Sequence, residues 1–212
     1  TPITRLLPAL TQCREPSLPI IGGMASGASQ ALYNRIVLND QSLKTGGVGL
    51  TLSGPVELDC IVSQGCRPIG KPLRITKVDG NVVLELGGKP ALDQLAQLSS
   101  SVNDHERHML ESGLLLGGVI DEHKDHFGRG DFLVRSVMGL DRKRKGIAAG
   151  EFYRLGKTVQ FHVRDAQTAV EDLQLLLDAQ QLDETPFACL LVTCNGRGRN
   201  LFHEDDYDLT II

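Results

Sequence analysis

Alternation of apolar and polar positions is clearest between residues 73 and 86. Leu73, Ile75 and Lys77 alternate with Arg74 and Thr76, Asp79-Gly80 follows, and Val82, Leu84 and Leu86 then alternate with Val83 and Glu85. An Asp-Gly step between two alternating runs predicts a β-hairpin. After Gly87-Gly88 the period changes. Pro90 suits a first helical turn, and Ala91, Leu92, Leu95 and Leu98 recur at helical spacing. A second short helix is predicted over Asp104 to Glu111. The near-continuous apolar run from Leu114 to Ile120 predicts a strand covered on both faces. Further strands are expected at Phe132 to Met138, Ile147 to Ala149 and Thr158 to Arg164. In the last of these, Val159, Phe161 and Val163 share one face and Gln160, His162 and Arg164 the other. Asp165 stands where a helix N-cap belongs, and Ala166, Ala169, Val170, Leu173, Leu176 and Leu177 form the apolar stripe of the helix it opens.

The flanks read less regularly. Residues 3–12 suit a short helix, and Pro19-Ile20-Ile21 is a short apolar run closed by Gly22-Gly23. Leu32 to Leu38, Val48 to Leu52, Val56 to Val62 and the unbroken apolar Phe187 to Val192 all read as strands. Strands come first and are then mixed with helices, without the strict β-α alternation of a dinucleotide-binding fold. The expected class is α+β, with antiparallel or mixed sheets and a few packed helices.

Composition narrows the function classes. With 41% hydrophobic and 23% charged residues in 212, the chain is an ordinary globular sequence. The net charge of −4, the absence of Trp and the 4% aromatic content argue against nucleic-acid binding, since the one basic run, Arg142-Lys143-Arg144-Lys145, suits a solvated hairpin tip. No apolar run approaches the roughly 18 residues of a membrane span. The five cysteines, at irregular spacing and without a Cys-x-x-Cys pair, read as reduced thiols of a cytoplasmic protein. Cys189, and by the same reasoning Cys60, is expected to be buried in an apolar strand. Glycine, at 23 residues, exceeds the usual share of about 7% and gathers at the ends of apolar runs. That placement suits tight turns and close backbone approach to a ligand.

Candidate chemistry follows those ends. In Cys194-Asn195-Gly196-Arg197-Gly198, two glycines after an apolar run let backbone N–H groups turn outward, and Arg197 can fork onto a carboxylate or phosphate. Arg135 lies midway along a strand and Arg164 at the end of another, both as candidate ligand cations. Cys66 and Arg67 pair a turn thiol with a guanidinium. The cluster Asp121-Glu122-His123-Lys124-Asp125-His126 has metal-ligand residue types, but Lys124 at its centre and its place between strands mark an acidic loop, and no metal is expected. No Gly-x-Ser-x-Gly elbow or Cys/His signature appears, so no enzymatic activity is expected.

Five of these stretches together resemble the FIST family of intracellular signal-transduction modules. They are Pro19-Ile-Ile-Gly-Gly-Met-Ala-Ser-Gly27, Ser63-Gln-Gly-Cys-Arg-Pro-Ile-Gly70, Asp131-Phe-Leu-Val-Arg135, Val159-Gln-Phe-His-Val-Arg-Asp-Ala166 and Cys194-Asn-Gly-Arg-Gly198. The resemblance implies that residues 1–66 are the C-terminal part of a FIST N subdomain. Residues 67–212 would then be a FIST C subdomain lacking its C-terminal end. It also implies an intracellular sensory module for a small ligand, an amino acid or another small carboxylate, with a signalling protein as partner. The alternatives it carries are a protein-recruiting scaffold, as in F-box-linked relatives, and a haem-based gas sensor. No cofactor is otherwise expected.

Overall fold

The structure, a computed structural model, describes residues 3–13, 15, 18–30, 32–128, 130–180 and 185–212. These form two compact units, one of Thr1–Val62 with Gln181–Thr210 and one of Ser63–Gln180. The first opens with helix α1 (Ile3–Cys13) and a small hairpin of β1 (Ile36–Leu38) and β2 (Gln41–Leu43).

The second unit is built around strands β3 (Cys66–Asp79), β4 (Val82–Leu86), the short β5 (Lys89–Pro90), β6 (Leu115–Val119), β7 (Phe132–Asp141), β8 (Gly146–Ala149) and β9 (Thr158–Arg164). Helices α2 (Ala91–Ser101) and α3 (Asp104–Gly113) lie between β5 and β6, and α4 (Ala166–Gln180) follows β9. Every ladder is antiparallel, as the α+β reading expected. The strands run in the order β3-β9-β6-β7-β8-β4, and β4 pairs back onto β3, so six strands close a ring. Closure removes the exposed sheet edges that invite unwanted pairing.

Two long strands turn the corners. β3 pairs with β9 through Cys66–Arg74 and with β4 from Ile75 onward. The bend falls at Gly70, whose φ of +70° suits glycine and whose missing Cβ would lie 2.8 Å from Leu98. β7 likewise leaves β6 after Ser136 and pairs with β8 from Val137. Gln64 covers part of the β7 edge this exposes. Its Nε2 donates to the Phe132 carbonyl and its Oε1 accepts from the Val134 amide.

The predicted hairpin forms, with Asp79 opposite Val82 and Gly80 at φ +57°. The predicted β6 is buried at all five positions between β7 and β9. Ile75, Val83, Leu86, Leu116, Ile147, Val159 and Val163 make the core, and Leu95 and Leu98 of α2 and Met109 and Leu110 of α3 pack against it. Each fully buried side chain of this size contributes about 1.5–3 kcal/mol. On the opposite face of β9, His162 meets Phe132 edge-on at 4.9 Å and lies where a Cβ on Gly117 would be, 2.5 Å away. Burial holds its imidazole below the ordinary histidine range, so it is neutral near pH 7. The α4 stripe is buried at Ala169 and Leu173. Asp165, ahead of it, accepts from the Thr168 hydroxyl.

The first unit departs from expectation. Of Leu32 to Leu38 only Ile36–Leu38 is a strand, and 48–52, 56–62 and 187–192 form none. Leu50, Leu190 and Phe187 are largely exposed, and so are Cys60 and Cys189, which were expected to be buried. The physical reason is the lack of a ladder partner among the described residues. An apolar run becomes a buried strand only where neighbouring strands cover it.

Candidate functional site

The second unit carries an open cleft of about 510 Å³ where β7 parts from β6. Leu95, Leu110, Leu114, Leu115, Val137 and Leu140 give it an apolar lining. Ser99, Glu111, Ser136 and Arg164 are its polar members. Each arrives by a separate element. Ser99 comes from α2, Glu111 from the last turn of α3, Ser136 from the corner of β7 and Arg164 from the end of β9. A largely apolar concavity with a few polar groups of both signs is the ordinary form of a small-molecule site.

Arg164 is the sequence-nominated residue that the fold places in this cleft. Cys66 sits directly across the ladder from it, with its thiol donating to the Gln64 carbonyl at 3.1 Å. Arg67 is committed to two carboxylates, Glu106 at 3.1 Å and Asp165 at 3.6 Å, and ties β3 to α3 and to the start of α4. Arg135 pairs with Glu151 at 3.1 Å. Nearby, the Tyr153 phenol donates to the Leu116 carbonyl, and burial, then the Glu151 charge, push its pKa up to about 12.

The remaining five nominated residues, Cys194 to Gly198, belong to the first unit. Arg197 Nε and Nη2 donate to both carboxylate oxygens of Asp208 at 2.7 and 2.6 Å, and both side chains are more than nine-tenths buried. The guanidinium also lies 5.3 Å over the Phe202 ring. The fork expected to meet a ligand thus closes on the protein's own carboxylate, and the Arg197 bond holds Asp208 below its ordinary pKa. Asn195 donates to the Ser26 hydroxyl at 3.1 Å, and Gly23 comes up against Val192. Two glycine-rich motifs about 170 residues apart in sequence therefore meet in one unit. Gly198, at φ +57°, opens the short helix Arg199–Phe202.

Sequence reasoning missed Glu111, Ser136 and Asp208. Asp208 had a weak signal, as one of several acids downstream of Arg197. Glu111 and Ser136 had none, since neither stands in a motif. In the loop at 121–126, Glu122 accepts from the Thr158 amide and pairs with Lys157, while Lys124 pairs with Asp131. No cluster of three metal-ligating side chains occurs among the described residues. No helix among them is long and apolar enough to cross a membrane.

Comparison with known proteins places these features in a family. The FIST N domain model matches residues 1–89 and the FIST C domain model matches residues 91–212. The second unit therefore takes β3 and β4 from the first match and β6 to β9 from the second, with β5 at the boundary. An uncharacterized protein of Mycobacterium tuberculosis is 41% identical over 199 residues, covering 93% of this chain and 52% of that protein. A Mycobacterium bovis protein, also uncharacterized, is 39% identical over 199 residues, covering 93% and 51%. One from Methanocaldococcus jannaschii is 33% identical over 89 residues, 41% of this chain and 17% of that protein. The chain thus spans about half the length of the mycobacterial relatives it matches. No solved structure matches it.

Proposed function

The chain belongs to the FIST family, and on that premise we propose that it is the ligand-binding part of a cytoplasmic sensory protein, taking a small carboxylate in the cleft beside β6 and β7. FIST domains are sensory modules of signal transduction, and this reading gives that role a place in the fold. The observation that carries it is the pairing of an apolar lining with Arg164. The lining takes up the ligand's hydrocarbon part, and a guanidinium at a strand end can donate two parallel hydrogen bonds to a carboxylate.

We read the cleft as binding its ligand without turnover. Its lining holds two serines, a glutamate and an arginine, and the buried histidine of β9 packs on Phe132 and Gly117. All five cysteines are thiols, which suits a reducing compartment.

A second reading, a scaffold that recruits a signalling protein, draws on the apolar side chains exposed along 48–62 and 187–192. A melting-temperature screen with amino acids, other small carboxylates and haem separates these readings, because a ligand that binds only the folded state raises the midpoint by mass action. A small carboxylate is expected to score. Arg164→Gln should then weaken it about 10- to 150-fold, the usual worth of a charge-assisted hydrogen bond. A haem-only response would make the protein a gas sensor, and no response at all would favour the scaffold. Unchanged affinity in a folded Arg164→Gln variant would remove the arginine from the site.

A further inference from the structure

We infer that Arg67 is a switch, reporting the position of α3, one wall of the cleft, to the start of α4 by trading one carboxylate for another. This regulatory role rests on the ligand reading of the cleft and adds the route by which occupancy is passed on.

The cleft is walled by β6, β7 and the end of β9 and by helices α2 and α3. Ladders pin the strands, so a ligand that widens the cleft moves the helices. Arg67 of β3 holds α3 to the strands, with Nη2 donating to Glu106 at 3.1 Å. Glu106 precedes the cleft residue Leu110 by four positions, so the two share a helix face. The same guanidinium lies 3.6 Å, through Nε, from Asp165 Oδ2. Asp165 follows Arg164 of the cleft and directly precedes α4. Its Oδ2 also accepts from the Thr168 hydroxyl in the first turn of α4, and its carbonyl accepts from the Ala169 amide.

Arg67 is thus shared unequally between a carboxylate fixed to α3 and one at the head of α4. When α3 draws Glu106 away, the guanidinium closes on Asp165, because arginine favours two parallel contacts with one carboxylate. The carboxylate turned toward Arg67 leaves the Thr168 hydroxyl, and the first turn of α4 loosens. That helix ends at Gln180, where the chain leaves the second unit for the first. The other passage, Val62–Ser63, is held to the same helix, since the Ser63 hydroxyl donates to Asp172 at 2.6 Å. Ion-pair networks with two discrete arrangements carry coupling of this kind.

Hydrogen exchange on the 212-residue protein tests the switch without a ligand, so its failure leaves the carboxylate reading to the melting-temperature screen. Glu106→Gln imitates the withdrawn helix. It should speed exchange at the start of α4, from Ala169 onward, at least about 10-fold, the worth of one charge-assisted hydrogen bond. Leu140→Trp, a wedge on a half-exposed cleft residue of β7, should do the same. Ser136→Phe, on the same strand, is the wedge to use where Leu140→Trp does not fold. Arg67→Met should leave exchange in α4 at the wild-type rate and should abolish the effect of Glu106→Gln and of the wedge. A static brace gives the opposite order, with Arg67→Met loosening α4 most and Glu106→Gln acting on α3 alone. That order overturns the switch, and so does a wedge whose effect never reaches α4 or persists without Arg67.

Discussion

Two apolar runs, Leu114 to Ile120 and Phe187 to Val192, look alike in sequence and end differently. The first becomes β6, lying between β7 and β9 with Leu116 at 0% exposure. The second forms no strand, and Leu190 is 82% exposed. The contrast extends to the two units, one closed into a six-stranded ring around its core and the other leaving many of its described apolar side chains exposed. Strand formation is therefore a property of the neighbours a run finds. β6 finds β7 across the loop at 120–131 and β9 farther along the chain, beyond β8, whereas no partner for 187–192 lies among the described residues.

The widest expected gap tests that contrast directly. Leu116→Asp buries a charge with no partner and should cost more than about 4 kcal/mol, enough to unfold the second unit. Leu190→Asp, on an exposed side chain, should stay within about 0.5 kcal/mol. Denaturant titration reads both, and equal losses would mean that 187–192 is buried after all.

The first unit nevertheless has a buried, directional ion pair, Arg197 with Asp208, and breaking it sharpens the comparison. Arg197→Ala leaves Asp208 without its bidentate partner and should cost about 3–5 kcal/mol in the first unit alone. The same pair predicts a pH dependence. Arg197 holds the folded Asp208 carboxyl below its ordinary value, so its contribution is present in full above about pH 5 and is lost as acid protonates it below about pH 4. Proteolysis or hydrogen exchange confined to the first unit should follow that course, and should lose it in Asp208→Asn. A wild-type profile flat down to pH 2 would mean that the pair is exposed and screened.

The smallest effect concerns glycine. Gly117→Ala would set a Cβ 2.5 Å from the His162 ring, an overpacking cost of about 1–3 kcal/mol. Gly49→Ala meets nothing within 4 Å and its φ is not positive, so it should be neutral or stabilising by less than about 1 kcal/mol. Matching melting temperatures for the two variants would show that the close packing of β6 on β9 is softer than drawn.

The local features of this protein were legible in its sequence because they are set by neighbours along the chain. The Asp79-Gly80 hairpin, the helical spacing of α2 and α4, and the alternation that turns Val159, Phe161 and Val163 inward each depend on a few adjacent residues. The FIST motifs were legible for the same reason, as short strings of adjacent residues. Four matters were left to the tertiary structure. They are the closure of β4 onto β3, the fate of the apolar runs in the first unit, the capture of Arg197 by Asp208, and the meeting of Glu111, Ser136 and Arg164 at one cleft. All four bring together groups separated along the chain. The free energy of such a meeting depends on what else is packed nearby, and a linear pattern of apolar and polar positions does not record that.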